Sequence, residues 1–88
     1  MIKVNEAIKL IIEFTKEGYS SLIIALCLSK YFEELVEEIF VREIRKQFFI
    51  YDYRQQSFTE KATKKIYPQN PLLTEVSLLK KLGVKGGY

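Results

Sequence analysis

The chain contains no histidine, and that absence excludes more chemistry than any residue present suggests. Histidine is the commonest general base, the commonest metal ligand and the usual switch near neutral pH. Without it, Ser-His-Asp and Cys-His catalysis are ruled out, as are zinc sites of the Cys₂His₂ type. There is a single cysteine, Cys27, so no disulfide can form within the chain. The expectation is a reducing, cytoplasmic setting. Cys27 stands in the apolar run 22–28. A thiolate nucleophile needs a nearby cation or a helix N-terminus, so a buried structural thiol is the simpler reading.

Glycine and proline are also few, at four and two residues. The four glycines (Gly18, Gly83, Gly86, Gly87) make neither phosphate-cradling spacing, GxxxxGK[ST] nor GxGxxG. The longest apolar run is that of 22–28, far short of the roughly 20 residues a membrane span needs. Lys3, Asn5, Glu6 and Lys9 interrupt any apolar segment of a signal peptide. The reading is therefore non-enzymatic, with no cofactor, no metal, no small-molecule substrate and no membrane.

What is present is a core. Leu, Ile, Val and Phe number 10, 10, 5 and 6 among 88 residues, enough for one small domain to fold. The pattern predicts an all-α chain of about four helices over 1–83, with a flexible tail at 84–88. Helix one runs over about 6–17, capped by Asn5 and stopped by Gly18. After Ser20 or Ser21 an apolar stripe holds from Leu22 to Phe48, with Lys30, Glu33, Glu34, Glu37, Glu38, Arg42, Arg45 and Lys46 opposite it. Neither glycine nor proline occurs between Gly18 and Pro68. The stripe predicts one long central helix over roughly 21–47, about 40 Å long at 1.5 Å per residue.

A helix of that length overhangs a domain of this size. Leu28, Phe32, Leu35 and Ile39 would then form the shared core of a homo-oligomer. A break near Ser29-Lys30, giving two ordinary helices in a monomer, is the alternative. The segment 48–53 reads as the end of that helix or as a short β element.

Ser57 and Glu60 fit a capping box opening a basic helix to about Ile66, which Pro68 would stop. Asn70-Pro71 then opens a last helix ending at Gly83. The stretch Lys61 to Leu82 thus resembles a helix-turn-helix, its turn at 67–70. Tyr67 stands where that motif favours glycine. The Lys46–Tyr53 segment lacks the glycines of an RNA-recognition strand and does not qualify as one.

Charge is divided unevenly. Residues 1–41 carry four basic and seven acidic side chains, whereas residues 42–88 carry ten basic and four acidic. Interleaved with the basic half are Phe48, Phe49, Tyr51, Tyr53, Phe58 and Tyr67. Cations that track phosphates, together with aromatics on which bases stack, are the equipment of single-strand binders. A net charge of +3 is also what an ordinary solvated surface gives.

The favoured expectation is a small DNA- or RNA-binding or packaging protein with little sequence specificity. Its phosphate contacts would be Arg42, Arg45, Lys46, Arg54, Lys61, Lys64, Lys65, Lys80 and Lys81. The alternative is a protein–protein assembly subunit with no nucleic-acid contact. The ladder Glu33, Glu34, Glu37, Glu38 reads as a solvated face, because di-metal bundles add histidine. Tyr51 or Tyr53 as a strand-transfer nucleophile lacks an accompanying base. The composition, rich in Ile, Lys, Glu and Tyr, resembles that of proteins of thermophilic archaea and their mobile elements, a bias that AT-rich mesophiles also produce.

Overall fold

Four helices and three short strands follow one another in the computed structural model, which describes residues 2–84. Helix α1 spans Val4–Glu17 and α2 spans Ser21–Phe32. Helix α3 spans Glu38–Phe48, and the strands are β1 (Phe49–Asp52), β2 (Ser57–Glu60) and β3 (Ile66–Pro68). Helix α4 closes the order at Glu75–Leu82. The fold is α+β and not all-α, and no long central helix exists among the described residues.

The expected helix over 21–47 breaks where Glu33 turns left-handed, at φ 54°, and its N–H donates to the Ser29 carbonyl. Ser29 holds the break. Its hydroxyl donates to the Ala25 carbonyl and accepts from the Val36 N–H at 2.9 Å. The physical reason is burial within one chain. Folding back brings Leu28, Val36, Val41 and Ile44 into one core with Ile11, Phe14 and Ile24 of the first two helices. A straight helix would have left that stripe in water, at about 25 cal/mol per Å² of apolar surface. The break falls a few residues beyond Ser29-Lys30, where the two-helix alternative placed it.

The first helix begins earlier than the expected Asn5 cap: Lys3 is its N-cap, with no side-chain cap bond, and Asn5 lies inside the helix, whereas the caps that follow are those the sequence indicates. Gly18 ends α1 at φ 103°, and the Ser20 hydroxyl caps α2 by accepting from Ile23 N–H. Gly18 meets a second demand as well. A Cβ there would lie 3.0 Å from both the Asn70 nitrogen and the Pro68 oxygen, because Asn70 N–H donates to the Gly18 carbonyl.

The sheet is antiparallel in the order β1-β2-β3. Tyr51 pairs with Phe58 and Phe58 with Tyr67, so these aromatics share one face; Ile50, Thr59 and Ile66 share the other. The inner face is covered, with Phe49 and Phe58 buried, while Ile50 and Ile66 are exposed. Helix α3 runs straight into β1, which matches the short β element considered for 48–53.

Two expected helices are corrected. The capping box at Ser57 and Glu60 opens no helix: both residues lie in β2, and Glu60 instead accepts from the Thr63 hydroxyl in the turn to β3. The helix-turn-helix over 61–82 therefore does not exist, since its first helix is a turn and a strand. At Asn70 the side chain accepts from Leu72 N–H and makes a local turn. The helix starts later, capped by the Thr74 hydroxyl, which accepts from Ser77 N–H. Leu78 and Leu79 are consequently its buried pair, while Val76 is exposed. Of the tail 84–88, Val84 packs against the core, and the rest lies outside the described residues.

Candidate functional site

Helix α3 exposes one side, the sheet ends in a hairpin turn, and between them runs a groove of about 670 Å³. Its walls come from the start of α2 (Ser20, Ser21, Leu22), the outward side of α3 and the inner aromatics of the sheet. Arg42, Arg45 and Lys46 line it together with Tyr51, Tyr53 and Gln69. The α3 periodicity explains this side. Val41, Ile44 and Arg45 turn inward, leaving Arg42, Glu43 and Lys46 outward.

Tyr53 is 85% exposed, and its ring stands edge-on to that of Tyr51 at 4.8 Å. The hairpin turn that presents it is fixed by Asp52, whose carboxylate accepts from the N–H groups of Arg54 and Gln55. Gln56 completes the turn at φ 48°. Among the described residues Glu38 is the carboxylate on the groove, and Arg42 pairs with it at 2.5 Å.

Arg45 is the unusual member. It is 2% exposed, yet no carboxylate pairs with it among the described residues. One terminal nitrogen donates to the Ser21 hydroxyl at 2.6 Å, the other to the Tyr19 carbonyl at 3.1 Å. Nε has no acceptor. The guanidinium lies 4.0 Å from the Phe58 ring centre, a cation–π contact. Burial pushes Arg45 down to about 10; Tyr51 opposes that shift and Arg42 adds to it. It remains charged at neutral pH.

The other expected phosphate contacts are dispersed. Arg54 stands in the hairpin turn beside Tyr53. Lys61, Lys64 and Lys65 lie in the turn between β2 and β3, at the opposite end of the strands. That turn nonetheless reaches α3, because the Lys61 ammonium donates to the Lys46 carbonyl at 2.8 Å. Lys80 and Lys81 are on α4, which packs against α2, and Lys81 is held by Glu17. The structure does not bring these two to the groove.

Of the four residues expected to form a shared oligomer core, Leu28 is fully buried in the chain's own core, and Phe32 packs against it half-buried. Leu35 and Ile39 are exposed. Ile39 lines the groove, whereas Leu35 lines a smaller hollow of about 290 Å³ with Ile2, Val4, Val36, Glu37 and Phe40.

Cys27 is buried and its thiol is 3.6 Å from the Glu75 carbonyl. Burial first, and the Glu75 charge second, push it up to about 11, so it is a protonated structural thiol. Among the described residues no group of three or more Cys, Asp or Glu side chains is placed to hold a metal. No helix among them is long and apolar enough to cross a membrane.

Ser21 and Gln69 belong to the groove without standing out in the sequence. For Ser21 the only signal is the pair Ser20-Ser21, which reads as a helix cap. Comparison of the chain with protein-family models, curated proteins and solved structures finds no match.

Proposed function

We propose that this chain is a non-enzymatic nucleic-acid-binding protein that uses the α3 side of the molecule and has little sequence preference. One observation carries the reading: Arg42, Arg45 and Lys46 share a single groove with the exposed ring of Tyr53. Cations beside an unstacked aromatic offer a phosphate track and a base platform at one place.

Arg54 stands beside Tyr53 at the hairpin turn, and the Lys61 ammonium reaches the Lys46 carbonyl near the end of α3, so these two are the further cations nearest the groove. The helix pair α2–α3 also supplies an element to lie against a duplex, as the second helix of a helix-turn-helix does. Glu37, the N-cap of α3, and Glu38 in its first turn repel phosphates and leave little to read base edges. Contacts from Arg42 onward give backbone binding with weak specificity.

The test is fluorescence anisotropy with labelled single- and double-stranded DNA and RNA across a salt series. Binding should weaken linearly on a log–log plot, and Arg42→Ala/Lys46→Ala should weaken it at every salt concentration. Absence of binding at low salt overturns the reading.

Self-association is a second reading, favoured by a separate observation. Leu35 and Val4 are exposed around one apolar hollow between the α2–α3 connection and the start of α1. Light-scattering mass tests it. A dimer converted to monomer by Leu35→Glu supports it, and a monomeric wild type removes it.

A further inference from the structure

A buried cation without a counter-charge is costly, and in this molecule it lies beside the open end of a helix. Desolvating an ammonium- or guanidinium-sized ion carries a heavy penalty unless hydrogen bonds and an opposite charge compensate. Among the described residues Arg45 has hydrogen bonds to two neutral acceptors, one unpartnered nitrogen and no carboxylate. The missing opposite charge has an obvious place to stand.

Arg45 donates to Ser21, the first residue of α2. Because the Ser21 oxygen accepts that bond, its own O–H is left to donate elsewhere. The N–H groups of Ser21 and Leu22 occupy the first two positions of the helix and have no acceptor within it. They lie on the positive end of the helix dipole. Ser21 and Leu22 of α2 line the groove together with Arg42, Arg45 and Lys46 of α3. Glu38, the carboxylate there, is already paired with Arg42.

We infer that the start of α2 is an oxyanion site for a single phosphate group. The Ser21 and Leu22 N–H groups and the Ser21 hydroxyl are its direct donors, and the Arg45 charge backs them from beneath. Arg42 and Lys46 flank the anion and set its approach. In taking the phosphate to belong to a nucleic-acid backbone, the inference rests on the proposed function; as an oxyanion site it does not.

The experiment is a ¹H–¹⁵N NMR titration of the full chain with sodium phosphate, against sodium chloride at matched ionic strength. The expected result is a saturable shift of the Ser21 and Leu22 amides with phosphate alone. Arg45→Met should weaken phosphate binding by about tenfold or more, the scale of losing one opposite charge a few ångströms away. Ser21→Ala should also weaken it and provides a second variant should Arg45→Met fail to fold. Shifts no larger than those from chloride, or a wild-type affinity in both variants, overturn the site.

A second arm adds a short oligothymidylate or DNA duplex. If the same amides respond and phosphate competes, the site takes a backbone phosphodiester. If phosphate binds but neither nucleic acid does, the oxyanion site stands for a free phosphate and the proposed function falls. If nucleic acid binds without moving these amides, the proposed function stands and the assignment of this site to a backbone phosphodiester is overturned.

Discussion

Helices α2 and α3 are consecutive, similar in length and made from one unbroken stretch of sequence, yet they do opposite work. Helix α2 is apolar nearly all round and packs against α1, α3 and α4. Tyr31 donates to Glu6 of α1, and Lys30 pairs with Glu75 of α4. Helix α3 is strongly two-sided, with Val41 and Ile44 inward and Arg42, Glu43 and Lys46 in water. A helix hydrophobic on all sides is a core element, whereas a two-sided one leaves a face for something else. Stability therefore resides in α2, and the outward side of α3 is where binding is proposed.

Substitutions test that division from both sides. Leu28→Ala empties a fully buried position of α2 and should cost about 2–5 kcal/mol. Chemical denaturation measures this as a sharp fall in the midpoint. Ser29→Ala attacks the boundary between the two helices. It leaves the half-buried Val36 N–H without its acceptor and should cost about 1–3 kcal/mol. If instead it produced a longer helix and a larger oligomer, seen by circular dichroism and scattering mass, the break would depend on that single hydroxyl.

The paired change Arg42→Ala/Lys46→Ala should do the reverse. It removes two exposed ion pairs on α3, each worth about 0.3–0.5 kcal/mol. Melting should thus hardly change, while the salt slope of nucleic-acid binding drops by roughly 0.9 for each phosphate no longer neutralised. A large fall in stability with unchanged binding would invert the comparison.

The smallest effect lies in the sheet that α3 leads into. The Thr63 hydroxyl, followed by Lys16 of α1, holds the Glu60 carboxyl below the usual range. Its folded pKa is depressed, so its contribution is present above the unfolded value of about 4.3. That contribution disappears as pH falls through the folded value. Glu60→Gln should accordingly flatten the acid side of the stability profile slightly, as read by melting across the acid range.

Part of this architecture can be read directly from residues. Gly18 ending α1, Ser20 capping α2, Gly83 ending α4 and Cys27 buried in an apolar run all follow from local chemistry, because a cap or a left-handed glycine is satisfied within a few residues. The break at Glu33 is different. No glycine or proline marks it, and the stripe from Leu28 to Phe48 keeps its spacing on both sides. The serine that anchors the turn resembles any helix-surface serine. Ser57 to Glu60 misleads for a similar reason: a capping-box spelling also suits a strand when Phe58 has a buried sheet face to fill.

The candidate site is legible only in part. The excess of cations after residue 41 is a property of the sequence, and Arg42, Lys46 and Arg54 are exposed as that excess suggests. Arg45 has the spelling of one more surface charge, and only the fold buries it against Ser21, Tyr19 and Phe58. Lys80 and Lys81 add to the same cation excess, but α4 carries them to α2 and α1.

By itself the sequence determined the inventory: chemistry without histidine, a chain rich enough in apolar residues to fold, helix ends where caps are local, and a basic second half. Tertiary structure alone decided where one helix becomes two, which of three neighbouring cations goes inside, and that Ser21 meets Arg45. The physical reason is range. Caps and charge counts depend on residues a few positions apart, whereas the groove joins residues 20–22, 42–46 and 51–58 through a core in which burying Leu28 and Val36 together outweighed continuing a helix.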